Sequence, residues 1–147
     1  MFVSLLSPAQ QRTLGQAIHA VASTDGEIHD LEAQFLDALR REGGALLEVD
    51  LDGPALDLPS LEAAAAAAFA DEPASSPARR AFVAEVAGMV TIDGESMAGE
   101  LEILEGLMNA VEVALAESAV FLAFGRKAGD LAREGTELVL GNPETIA

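Results

Sequence analysis

The chain has 147 residues, the size of one domain, and half of them are hydrophobic with 22% charged, which supplies one packed core rather than a disordered tail. Carboxylates outnumber Lys and Arg 25 to 8, for a formal charge of −17; this argues against binding nucleic acid or an anionic lipid surface and leaves cations, basic partners or solubility alone. Without Cys there is no disulfide, thiolate metal site, iron–sulfur cluster or cysteine nucleophile, and two His with no Trp or Tyr leave little for a transition-metal or base-stacking site.

The start, Met1 to Pro8, lacks a basic segment and has too short an apolar run for a signal peptide. The most apolar stretches, Ala63 to Ala70 and Val111 to Phe124, fall short of the roughly 20 residues that span a bilayer. The expectation is a cytoplasmic protein with no direct membrane insertion.

Ser7-Pro8 opens the first helix, with Ser7 as cap and Gln10 at the capping-box position. Leu14, Ile18, Val21 and Ala22 recur at helical spacing until Asp25-Gly26 breaks the run. A second helix starts at His29 or Asp30, carries Leu31, Phe35, Leu36 and Leu39, and ends at Gly43-Gly44. From Gly44 to Pro59 the chain reads as irregular; Ser60 then caps a short Ala-rich helix to about Ala70. A linker rich in Pro and Ser, Asp71 to Pro77, follows. Ser76-Pro77 opens a helix with Phe82, Val86, Met89 and Val90, Asp93-Gly94 breaks it, and another helix carries Leu101, Ile103, Leu104 and Leu107. A long last helix is expected from near Ala116 to Ala132 with Val120, Phe121, Phe124 and Leu131 on its apolar side. Gly135 should stop it, and the tail should cross the surface with Leu138, Val139 and Leu140 tacked down. No stretch alternates long enough to need a sheet, so the class is all-α within a single domain spanning 1–147.

Two of these helical hairpins are one unit repeated, 7–42 and 75–110. A shift of 68 lays Leu14 on Phe82, Ile18 on Val86, Val21 on Met89, Leu36 on Leu104 and Leu39 on Leu107. The same shift lays Asp25-Gly26-Glu27 on Asp93-Gly94-Glu95 and Glu32 on Glu100. One Asp-Gly is common; two within the same apolar frame mark an internal duplication.

The shared signature is Asp-Gly-Glu, four residues, then Glu. Hard cations take several carboxylate and carbonyl oxygens at close range, which a tight loop feeding a helix start can deliver. The run Asp25-Gly26-Glu27-Ile28 then Glu32 copies the second half of a calcium-binding EF-hand loop, but Val21 and Met89 stand where its leading Asp belongs. Related hairpins commonly pack about a pseudo-two-fold axis, which would pool Asp25, Glu32, Asp93 and Glu100 into one divalent-cation site. With carboxylates as ligands, calcium or magnesium is favoured over zinc. Against this stands a purely structural use: Asp-Gly is a good inter-helix turn, and Glu at the third helical position caps backbone donors.

Elsewhere, His19 reads as a mid-helix residue and His29 as a cap. Glu85 interrupts an apolar helix, either buried near the acidic loops or on a solvated face, and the Arg40-Arg41 and Arg79-Arg80 pairs are expected to meet helix-face Glu residues. No nucleophile, oxyanion donor or substrate cleft is signalled, so the chain is not expected to be an enzyme. Two function classes remain. One is a cation-binding sensor or scaffold; the other is a metal-independent adaptor that meets another protein through its acidic surface or last helix.

At the two acidic units, Leu14 to Leu39 and Phe82 to Leu107, the chain resembles the tellurite-resistance TerB-like family. The resemblance implies about seven helices in pseudo-two-fold halves, and a role in bacterial stress response. It also implies an acidic divalent-metal cluster, here Asp25, Glu32, Asp93 and Glu100 with Glu27 and Glu95 adjacent. The first unit matches best; in the second, Gly99 precedes Glu100 and Met97 stands at the helix start.

Overall fold

Local capping chemistry sets where the helices begin. In the computed structural model, which describes residues 1–26, 28, 30–44, 50–94 and 97–141 (without the side chain of Asp25), Ser7 and Gln10 form the reciprocal capping box ahead of α1, Pro8–Ala22. The Ser7 hydroxyl accepts from the Gln10 amide at 3.2 Å and the Gln10 side chain accepts from the Ser7 amide at 2.9 Å. A 3-10 turn, Ser23–Asp25, and Gly26 at φ +85° end it. The second helix, α2, runs Asp30–Glu42 with Asp30 and Glu32 in its first turn and Arg40 and Arg41 in its last, matched to the helix dipole at both ends. The Ala-rich helix α3 covers Leu58–Ala68. Its cap is Asp57 rather than Ser60: the Asp57 carboxylate accepts from the Ser60 amide at 2.8 Å, and Pro59 sits in the first turn where its missing N–H is harmless. Ser76 caps α4, Pro77–Val90; α5 is Ala98–Ala110 and α6 is Ser118–Leu140.

Six α-helices and no strand are present among the described residues, so the chain is all-α, with a helix count close to the expected seven. The helix bounds repeat at the same spacing. Helices α2 and α5 cover positions that the 68-residue shift superposes end to end, α1 and α4 finish at equivalent residues, and Gly26 and Gly94 share φ +85°. That left-handed conformation is what the Asp-Gly turns require of glycine. The matched apolar pairs, from Leu14 with Phe82 to Leu39 with Leu107, are all buried in one core.

Helices α1 and α4 pack on each other at the centre, α3 and α5 cover α1, α5 also meets α4, and α6 lies along α4. Helix α2 reaches α4 through Phe35, whose ring fills the space a side chain at Gly88 would need. Phe69 and Phe82 meet edge to face at 5.2 Å. Arg79, expected to pair with a helix-face Glu, meets the exposed Glu112, just past α5, at 3.5 Å, but is itself buried. Its guanidinium donates to the carbonyls of Phe69 (2.8 Å), Glu72 (2.5 Å), Pro73 (3.0 Å) and Val111 (2.9 Å), tying the linker and the end of α5 to α4. Arg80 does meet a helix-face Glu: it forms a two-pronged pair with Glu117 at 2.9 Å and lies 5.1 Å from the Phe121 ring centre.

The C-terminal expectation needs correction. Helix α6 does not stop at Gly135 but continues to Leu140, and Leu138, Val139 and Leu140 are 76–86% exposed rather than tacked down. A single interior glycine costs a helix only about 1 kcal/mol relative to alanine, too little to break a frame carrying good helix formers on both sides. Nothing lies within 4 Å of where a Gly135 side chain would stand.

Candidate functional site

The two acidic turns are built alike. After α1, the Ser23 hydroxyl donates to the His19 carbonyl at 2.7 Å and the Gly26 amide to the Ser23 carbonyl at 3.2 Å. After α4, the Thr91 hydroxyl donates to the Ala87 carbonyl at 2.9 Å and the Gly94 amide to the Thr91 carbonyl at 3.0 Å. Ser23 and Thr91 are thus engaged in ending their helices, each hydroxyl adding a second donor to a carbonyl that the same residue's amide already meets.

The first turn abuts the second unit. Thr24, whose hydroxyl donates to the Val21 carbonyl at 2.9 Å, lies against the start of α5: a Cβ placed on Gly99 would stand 3.8 Å from the Thr24 methyl carbon. Glu100, the next residue, is buried, and its carboxylate accepts from the Met97 amide at 3.1 Å, so it serves the α5 start as a capping residue. Glu32, at the equivalent place on α2, is buried as well, whereas Asp93 is exposed. Glu27, Glu95, His29 and the side chain of Asp25 lie outside the described residues. Among the described residues no three His, Asp or Glu side chains are gathered tightly enough to hold a metal ion. The described geometry therefore brings the first Asp-Gly turn to the helix carrying Glu100, and buries Glu32 and Glu100 in the first turns of their helices.

Glu85 is buried, but its partners are not the acidic turns. Its carboxylate accepts from the Phe2 amide at 2.5 Å and meets the Met1 ammonium at 2.8 Å, which also contacts Glu42 at 2.6 Å. The sequence signal was a lone Glu in an apolar helix; the partner, more than eighty positions away, carried none. Partial burial pulls the ammonium's pKa down, but hydrogen bonds and charge from Glu42 and Glu85 outweigh it, so the net shift is upward. Next to this cluster, a cleft of about 250 Å³ lies between α2, α4 and α6, lined by Phe35, Gly88, Phe124 and Gly129. His19 is buried in α1.

Three other carboxylates are held below their ordinary pKa. Glu72 accepts from the Ser76 hydroxyl at 2.8 Å and from Gln10 at 3.2 Å, Glu117 accepts from Arg80, and Asp57 accepts from Ser60. Each bond favours the ionised form.

No helix among the described residues is long and apolar enough to cross a membrane. No protein-family model, curated protein or solved structure matches the chain.

Proposed function

We propose that the chain is a non-enzymatic, cytoplasmic stress-response protein of the TerB-like, tellurite-resistance kind, in which the duplicated acidic turns bind a divalent cation and act as a sensor or scaffold. The observation that carries this reading is the seat of Thr24 against Gly99, which sets the first Asp-Gly turn beside the helix start bearing Glu100. On this reading the ion takes its ligands from both repeats, Asp25, Glu27 and Glu32 with Asp93, Glu95 and Glu100. Burial of Glu32 and Glu100 adds weight, because carboxylates shielded from water bind a hard cation with less competing hydration. The donor set is oxygen only, so calcium or magnesium is favoured over zinc.

The test is a melting series in chelator and in millimolar calcium or magnesium, with calorimetric titration alongside. Wild type should gain stability as the ion concentration passes the dissociation constant, by about 2.7 kcal/mol at a hundredfold excess over that constant. Asp25→Asn with Glu100→Gln should abolish the gain. A wild type whose melting ignores both ions would leave the second reading, a metal-independent adaptor. That reading is favoured by one separate feature, the apolar residues exposed along α6.

A further inference from the structure

We propose that α6 is a self-association helix, through which two copies of this chain pair antiparallel about Leu131. The inference does not depend on cation binding.

Exposed large hydrophobic residues are concentrated on this helix. Val120, Phe124, Leu131, Leu138, Val139 and Leu140 all lie on α6, with Leu131 and Leu138 69% and 86% exposed. The residues of α6 buried against the body are Phe121, Gly125 and Gly129, so no position beyond Gly129 is buried. Phe124, Leu131 and Leu138 recur every seven residues, which sets them in one stripe along the helix; Phe124, 41% exposed, anchors its inner end against Phe2 of the body, its ring centre 6.0 Å from that of Phe2, while Leu131 and Leu138 stand clear. The stripe spans roughly 21 Å at 1.5 Å per residue.

Charge selects the occupant. Helix α6 carries three basic residues, Arg126, Lys127 and Arg133, and three acidic ones, Asp130, Glu134 and Glu137, so the formal charge of −17 is carried entirely by the rest of the chain. Net charge sets the rest of one copy against the rest of another, and this neutral helix carries none of that repulsion. The stripe is also self-complementary in one register. Leu131 opposite the second copy's Leu131 places Phe124 opposite the second copy's Leu138, and the two-fold axis repeats that contact. Lys127 and Glu134, seven apart, lie on the same flank of the stripe, and in an antiparallel pair residues on the same flank meet. Lys127 of one copy therefore reaches Glu134 of the other, twice. Both side chains are exposed and form no salt bridge among the described residues, whereas Asp130 and Arg133 already pair with each other.

Sedimentation velocity with interference optics, suited to a chain without Trp or Tyr, reads the outcome across a wide concentration range. Wild type should show a reversible monomer–dimer equilibrium. Leu131→Glu, which sets two carboxylates face to face on the axis, should weaken the dimer roughly 100-fold or more. Its helical circular dichroism should stay at wild-type level, since Leu131 touches little of its own body. Lys127→Glu or Glu134→Lys alone should weaken it about 10-fold, and the two together should restore it, because the swapped charges meet again. A wild type that stays monomeric, a dimer indifferent to Leu131→Glu, open-ended oligomers, or a double swap no better than its singles would each overturn the proposal.

Discussion

Replacing glycine by alanine at two positions of α6 should move stability in opposite directions. At Gly125 a new Cβ would stand 2.5 Å from the Thr91 hydroxyl oxygen, 2.9 Å from the Ala87 carbonyl oxygen and 3.2 Å from its carbon. The carbonyl belongs to the backbone of α4 and cannot rotate aside. Relief requires α6 to lift from α4, or Thr91 to leave its 2.9 Å bond to that same carbonyl. Overpacking of this kind costs about 1–3 kcal/mol, and loss of the buried hydroxyl's bond adds about 1 kcal/mol. The helix-propensity gain of alanine over glycine offsets about 1 kcal/mol, so Gly125→Ala should destabilise by about 1–3 kcal/mol. At Gly135 nothing lies within 4 Å, and only the propensity gain operates. Gly135→Ala should therefore stabilise by up to about 1 kcal/mol. At about 3 °C per kcal/mol for a chain of this size, the two midpoints should straddle wild type, with Gly125→Ala lower by about 3–9 °C. Thermal melts followed at 222 nm measure both. A Gly125→Ala midpoint at or above that of wild type would mean that α6 is not seated on α4 at this closeness.

Arg79→Met should destabilise by about 3–5 kcal/mol, because it removes four buried hydrogen bonds and takes from the Glu72 and Val111 carbonyls the donor that the guanidinium supplies, whereas Arg80→Met should lose at most about 1 kcal/mol; urea denaturation of the two variants compares a buried hub with a surface pair. Melting temperature should fall on both sides of neutral pH. Asp57, Glu72 and Glu117 have lowered folded values, so their stabilisation is present above the ordinary carboxylate range and is lost as pH falls through those values. The Met1 ammonium has a raised value, so its contribution is complete below about 8 and is lost as pH climbs through the folded value. Acetylating the terminal amine should erase this alkaline limb, and a limb that survives acetylation would assign it to another group. Phe35→Ala should empty the seat on Gly88 and destabilise by about 3 kcal/mol, with Gly88→Ala in the same background recovering part of the loss; equal midpoints for the single and double variants would show that the ring does not dock there.

The helix class, the two helical hairpins and their glycine turns were legible in the linear order, because capping, helical periodicity and the φ > 0 requirement act over three or four neighbouring residues. Ser7, Ser76, Gly26 and Gly94 hold the positions those local rules assign. Of the acidic site, the residue types and their repeat were legible, as was the placement of Glu32 and Glu100 in first helical turns. The approach of Thr24 to Gly99, which joins one repeat to the other, had no sequence signal. Neither did the partners of Arg79 and Glu85: Arg79 reads as a surface charge and Glu85 as either buried or solvated, and each is buried where distant backbone or a distant ammonium meets it. The end of α6 was misjudged for the converse reason. Gly135 and the following Leu-Val-Leu read locally as a stop and a buried tail, but whether an apolar run is covered depends on what the rest of the chain sets against it. Beyond Arg133, whose guanidinium donates to the Ile92 carbonyl at 2.8 Å, α6 leaves the body, and Leu138, Val139 and Leu140 remain exposed. Local backbone preference carries over a few residues and is written in the order of the chain; burial is a property of surfaces that meet only after folding, and only the tertiary structure decides it.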